Sequence, residues 1–183
     1  LQKATGLMVQ NEDSARLLEN AGIKNVCITG DTRFDRVKEI TSSPVSLPIA
    51  ERFCENSTII IGGSTWPEDE TFLLDTFITL PSSVKLILVP HDISEDHIKG
   101  LVKEAGQKAG ESAVSLYSAP DPASKIMIVD SIGVLVSLYR YAHVAWIGGG
   151  FGEGIHNTLE AAAYGIPVFF GPNYRKFNEA FGL

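Results

Sequence analysis

The chain contains no apolar run near the ~20 residues that a membrane-spanning helix requires. It has no CxxC pair, no HxxxH or HExxH spacing, and no lysine-bearing phosphate loop. Leu1-Gln2-Lys3 shows no charged leader followed by an apolar core, so no signal peptide is expected there. Basic charge is scarce as well. Fifteen Lys and Arg against 22 Asp and Glu give a formal net charge of -7, which leaves no field to attract nucleic acid or an anionic membrane surface. The two cysteines, Cys27 and Cys54, stand in unrelated contexts and are read as buried, reduced thiols rather than a disulfide. The four histidines (His91, His97, His143 and His156) are scattered. No metal site and no cofactor are expected from them.

What is present is ordinary globular material: 183 residues, 44% hydrophobic and 20% charged, enough for one sizeable core. Short β-branched runs alternate with amphipathic stretches. Strands are expected over 7–9, 25–28, 58–61, 84–89, 113–117, 126–129, 144–147 and 167–170, and helices over 12–20, 45–55, 67–79, 95–109, 133–141 and 157–164. Ser64 or Thr65 is expected to cap the helix that opens at Pro67, where Glu68, Asp69 and Glu70 complement the dipole. Asn20-Ala21-Gly22 closes the first helix. Residues 41–48, with two prolines and four Ser or Thr, read as a loop rather than a domain linker. The alternation implies a Rossmann-like, doubly wound parallel α/β sheet. The chain lacks an initiator Met and stops inside an expected helix that starts near Tyr174, so it reads as a piece of a longer protein.

Such sheets bind ligands beyond the carboxyl ends of their strands. Three segments there carry suitable chemistry. Ile61-Gly62-Gly63-Ser64-Thr65-Trp66 follows a strand, and its glycines and hydroxyls suit either a phosphate or sugar oxygen, or simply a turn and a helix cap. Val89-Pro90-His91-Asp92 ends another strand; His91 is either a ligand contact or an ordinary surface residue. The third, residues 147–160, places five glycines in seven positions between a strand and a helix expected to start near Asn157. Gly149, Gly150 and the amides of that helix start would make an anion site. Asn157 can cap the helix or turn its amide toward a phosphate, and Glu160 can accept from a ribose diol or offset the helix dipole. This is not the GxGxxG fingerprint in its usual first βα turn.

Residues 130–172 carry a resemblance. Asp130-Ser131-Ile132-Gly133-Val134-Leu135, Gly154-Ile155-His156-Asn157-Thr158-Leu159-Glu160, the run from Pro167 to Pro172, and Asn178 resemble blocks of the 3-deoxy-D-manno-octulosonic acid (Kdo) transferases. Gly30-Asp31-Thr32-Arg33-Phe34-Asp35 and Gly63-Ser64-Thr65 sit where that family has comparable blocks. The resemblance implies one half of a GT-B glycosyltransferase: the C-terminal domain that binds the donor, CMP-Kdo, for inverting, metal-independent transfer to a lipid A precursor in lipopolysaccharide biosynthesis. Carried over to this sequence, it places Ser64 and Thr65 at the donor cleft, and Gly133 with its helix against the phosphate or the Kdo carboxylate. Asn157 then contacts the phosphate region and Glu160 the ribose hydroxyls, and His91, Gly149, Gly150 and His156 are further expected substrate-binding residues. It also implies that no catalytic residue lies in this chain, the general base belonging to an absent N-terminal acceptor domain, so that the fragment alone is inactive. That domain would hold the full protein at the cytoplasmic face of the Gram-negative inner membrane, the fragment itself being soluble.

Three positions depart from the family. Pro90-His91-Asp92 stands where Pro-Arg-His is frequent, Ile155 replaces a glycine, and Trp66 replaces a residue that is often His. Other readings of the same segments are a different GT-B nucleotide-sugar enzyme, either a UDP-sugar transferase or a UDP-GlcNAc 2-epimerase-like isomerase, and a non-catalytic nucleotide-binding module.

Overall fold

The computed structural model describes residues 4–42, 45–175, 177 and 180. The chain divides into two compact units, residues 1–43 and 44–183, so the break falls inside the 41–48 stretch. The strands accordingly form two sheets rather than the single sheet expected.

The first unit pairs β1 (Leu7–Val9) with β2 (Val26–Ile28) in parallel, around α1 (Glu12–Asn20). Asn11 caps α1 by accepting from the Ser14 amide at 2.9 Å, and Gly22, at φ +84°, follows its end as anticipated. A second helix, α2 (Arg33–Ser42), was not expected. Asp31 fastens its start through the Arg33 amide and guanidinium. Cys27 is exposed, not buried as expected, because a three-residue strand with a single neighbour covers little. Cys54 is half-buried; both thiols are free, and burial pushes that of Cys54 up to about 11.

The second unit holds α3 (Pro48–Cys54), β3 (Thr58–Thr65), α4 (Pro67–Phe77), β4 (Val84–Pro90), α5 (Glu95–Ala109), β5 (Val114–Leu116), β6 (Ile126–Ile128), α6 (Leu135–Leu138), β7 (Val144–Ile147), α7 (Leu159–Ala162) and β8 (Val168–Phe170). Its six strands are all parallel, in the order β5-β6-β4-β3-β7-β8. Side chains alternate across this sheet with the period of a strand. Leu86, Leu88, Ile126 and Ile128 join Leu73, Leu74, Ile98 and Leu101 of α4 and α5 on one face. Ile59, Ile61, Ile87 and Met127 join Phe53, Leu138 and Tyr139 on the other.

Three corrections to the expected elements matter for the site. β3 does not stop at Ile61: it runs through the glycines to Thr65, and its pairing with β4 shifts between Gly63 and Thr65, where Ser64 sits at φ +52°. Neither Ser64 nor Thr65 caps α4; the Trp66 amide at its start donates to Asp69 Oδ2 at 3.1 Å. The helices expected over 133–141 and 157–164 are single turns, α6 followed by a 3₁₀ turn over Tyr139–Tyr141, and α7. Asn178 and most of the segment expected to be helical after Tyr174 lie outside the described residues.

Candidate functional site

Successive strands leave β3 in one direction toward β4 and in the other toward β7. That reversal opens a crevice beyond the carboxyl ends of β3 and β7, the place where open α/β sheets bind ligands. Thr65 ends β3 there, and Gly148 follows β7.

Glycine is required in the loop after β7 by packing. A Cβ on Gly148 would lie 2.2 Å from the Ser64 carbonyl oxygen, and one on Gly150 would lie 2.5 Å from the Gly171 amide nitrogen. Gly149, at φ +90°, would meet the Gly154 carbonyl at 2.4 Å. The Gly149 carbonyl accepts from the Gly152 and Gly154 amides at 3.0 and 3.2 Å, and the Gly148 carbonyl from the His156 amide at 3.1 Å. The loop is therefore folded tightly on itself and on β3 and residue 171.

The expected site residues fall into separate groups. Trp66, His91 and His156 form a ring stack: the His91 centroid lies 4.7 Å from both Trp66 and His156, near parallel to each. Trp66 Nε1–H donates to His156 Nε2 at 3.0 Å. Indole nitrogen is a donor only, so this bond requires His156 Nε2 to be unprotonated and leaves Nδ1 as its N–H in the neutral ring. Burial, followed by the neighbouring His91, lowers the pKa of His156, with Asp69 opposing. Asn157 Nδ2 donates to Glu160 Oε1 at 3.1 Å, and Asn157 Oδ1 accepts from the Leu159 amide at 3.1 Å. The next residue, Thr158, is fully buried, and its Oγ1 has no partner among the described residues.

Other expected contacts are occupied or open. The Thr65 hydroxyl donates to Glu70 Oε1 at 3.1 Å, the oxygen that His97 Nε2 also approaches at 3.1 Å. Burial raises Glu70 above the usual carboxylate range, against the pull of His97. Gly133 lies two residues before α6 at φ +85°, exposed, with nothing within 4 Å of an added Cβ. It permits a turn rather than starting a helix. His143 is exposed at the entry to β7, where its Nδ1 accepts from the Ile59 amide at 3.1 Å.

Two cavities flank the loop. One, of about 660 Å³, is lined by Trp66, His156, Gly149, Gly154 and the carboxylates Glu68 and Glu153, among others. The other, of about 550 Å³, lies against Gly152, Glu153, Pro172, Asn173 and Arg175. Arg175 is the one Lys or Arg among the described residues lining either cavity. Sequence gave Arg175 no role, since one exposed arginine near the end of the described chain carries no pattern. In sequence, Asp69 within Glu68-Asp69-Glu70 reads only as a complement to the helix dipole. Yet Asp69 is 1% exposed and accepts from Trp66 N at 3.1 Å, Gly149 N at 2.8 Å and Trp146 Nε1 at 2.9 Å.

No protein-family model matches the chain. It is 29% identical over 174 residues, 93% of its length and 41% of the relative's, to 3-deoxy-D-manno-octulosonic acid transferase of Rickettsia bellii. The chain is a relative of the Kdo transferases. A relative of the same name from Aquifex aeolicus is 27% identical over 177 residues, covering 94% of the chain and 45% of the relative. The chain thus spans about two fifths of the length of the Kdo transferases it matches. The C-terminal CMP-Kdo binding domain of WaaA from Acinetobacter baumannii has a similar fold, with a TM-score of 0.59 at 20% identity over 81% of this chain and 75% of that one. The likeness is one of fold, a Rossmann-like parallel α/β sheet. Among the described residues, no helix is long and apolar enough to cross a membrane.

Proposed function

We propose that this chain is the donor-binding part of a Kdo transferase, which takes Kdo from CMP-Kdo and delivers it to a lipid A precursor with inversion at the sugar carbon. The observation that carries the reading is the Kdo transferase likeness over 93% of the chain, combined with the Asn157–Glu160 pair just past the loop at the switch point of the sheet. Glu160 takes the ribose hydroxyls, its carboxylate exchanging the Asn157 amide for sugar O–H donors. The charge that develops on CMP as the glycosidic bond breaks is taken up by fixed N–H groups, which need no reorganisation during reaction. His156 Nδ1–H, the Asn157 amide and the Arg175 guanidinium are the groups of this chain with the right chemistry. No metal ion takes part.

The general base and the acceptor site belong to the N-terminal domain of the full protein, so this chain binds CMP-Kdo without transferring Kdo. The full protein works at the cytoplasmic face of the Gram-negative inner membrane, held there by that domain. A calorimetric titration with CMP tests the assignment of residues. Glu160→Gln and Asn157→Ala each weaken binding about 10- to 100-fold, the loss expected for one hydrogen bond to a charged group. Unchanged affinity in both variants contradicts it.

A further inference from the structure

Asp69 holds together three pieces of chain that meet at the crevice. A helix cap would need only the Trp66 amide. Asp69 in addition accepts from the Gly149 amide in the loop and from the Trp146 indole on β7, at 2.8 and 2.9 Å. Both carboxylate oxygens face protein N–H groups, and the residue is 1% exposed. Gly149 is the hub of the loop: its carbonyl anchors the Gly152 and Gly154 amides, and its φ of +90° is one that a side chain would strain. The amide of that same residue is anchored by Asp69. The Gly149 N–H is therefore committed within the protein and is not a phosphate contact, which departs from the role expected for Gly149 in the sequence.

We propose that Asp69 is a positioning residue: by fixing the Gly149 peptide it sets the shape of the loop over residues 148–154, and through that shape the affinity for the donor nucleotide. The second half of this statement rests on the donor reading above. Amide hydrogen exchange on the ligand-free 183-residue chain tests the first half without a ligand. In the wild type the Gly149 amide exchanges slowly despite lying in a loop. In Asp69→Ala, exchange at Gly149, Gly152 and Gly154 speeds at least about tenfold, while Leu86 and Leu88 of β4 keep their protection. Trp146→Phe removes one donor to Asp69 and leaves Gly149 protected.

Titration with CMP tests the second half. Affinity falls at least about tenfold in Asp69→Ala and stays within about twofold in Trp146→Phe. A wild-type Gly149 amide that exchanges as fast as that of exposed Phe151 overturns the proposal, and it decides the matter even where Asp69→Ala fails to fold. Loop release with unchanged CMP affinity also overturns it, reducing Asp69 to a structural cap. A wild type that binds no CMP refutes the donor reading instead, and the exchange rates still decide whether Asp69 holds the loop.

Discussion

His156 stacks on His91, and one of its ring nitrogens already accepts from Trp66. Protonation would break that bond and charge a half-buried ring against His91, so the fold favours the neutral form and lowers the pKa of His156. The consequence for stability has a definite sign. In the unfolded chain a histidine titrates near ~6.5. As pH falls through that value the unfolded chain gains a proton that the native ring resists, so stability is lost until the lowered native pKa is reached. Thermal unfolding at pH 7.5 and pH 5 should therefore show a larger loss of Tm for wild type than for His156→Gln. Equal losses would contradict the account. At this scale the sequence marks chemistry that is local: His91, His156, Asn157 and Glu160 stand out as polar residues in or beside the turns after strands. It was uninformative where a side chain is committed across the fold. The Gly149 amide is taken up by Asp69, 80 residues away in sequence, and that pairing leaves no trace in local pattern.

The elements show why glycines at this edge were read as turns when some are strand. Gly62 and Gly63 continue β3 because larger residues do not fit there: a Cβ on Gly63 would lie 2.0 Å from the hydroxyl of Tyr139, itself 1% exposed. Gly63→Ala should cost about 1–3 kcal/mol, the range for overpacking a closed core, measured as a lower denaturant midpoint with unchanged slope. A variant as stable as wild type would show that Tyr139 can move aside. The same tyrosine lies close enough to Glu160 for that carboxylate to add to the rise in its pKa that burial causes. Helix starts were read from glycine and asparagine signals, but α6 and α7 prove to be single turns that begin at Leu135 and Leu159. A one-turn helix carries little aligned dipole, so these helix starts offer less of the anion-attracting field expected of them. The unexpected α2 has weak apolar periodicity over Arg33–Ser42, and Asp31 anchors its start.

For the whole molecule, the parallel α/β class was legible because buried parallel strands are continuous apolar runs, and seven of the eight expected strands needed boundary changes of no more than two residues; β3 was the exception. The division at residues 43 and 44 was not legible, since composition barely changes there. The order of the strands, and with it the crevice between β3 and β7, also required the structure, because sequence gives strand succession and not adjacency. Every residue of the proposed donor site lies in the second unit, around the loop after β7. The central claim is that this unit recognises a cytidine monophosphate donor rather than a uridine diphosphate one. Paired calorimetric titrations of the wild-type chain with CMP and with UDP test it most directly. The account predicts saturable CMP binding at least about tenfold tighter than UDP, a difference of about 1.4 kcal/mol. UDP bound as tightly as CMP or more tightly, or no CMP binding at all, would contradict it.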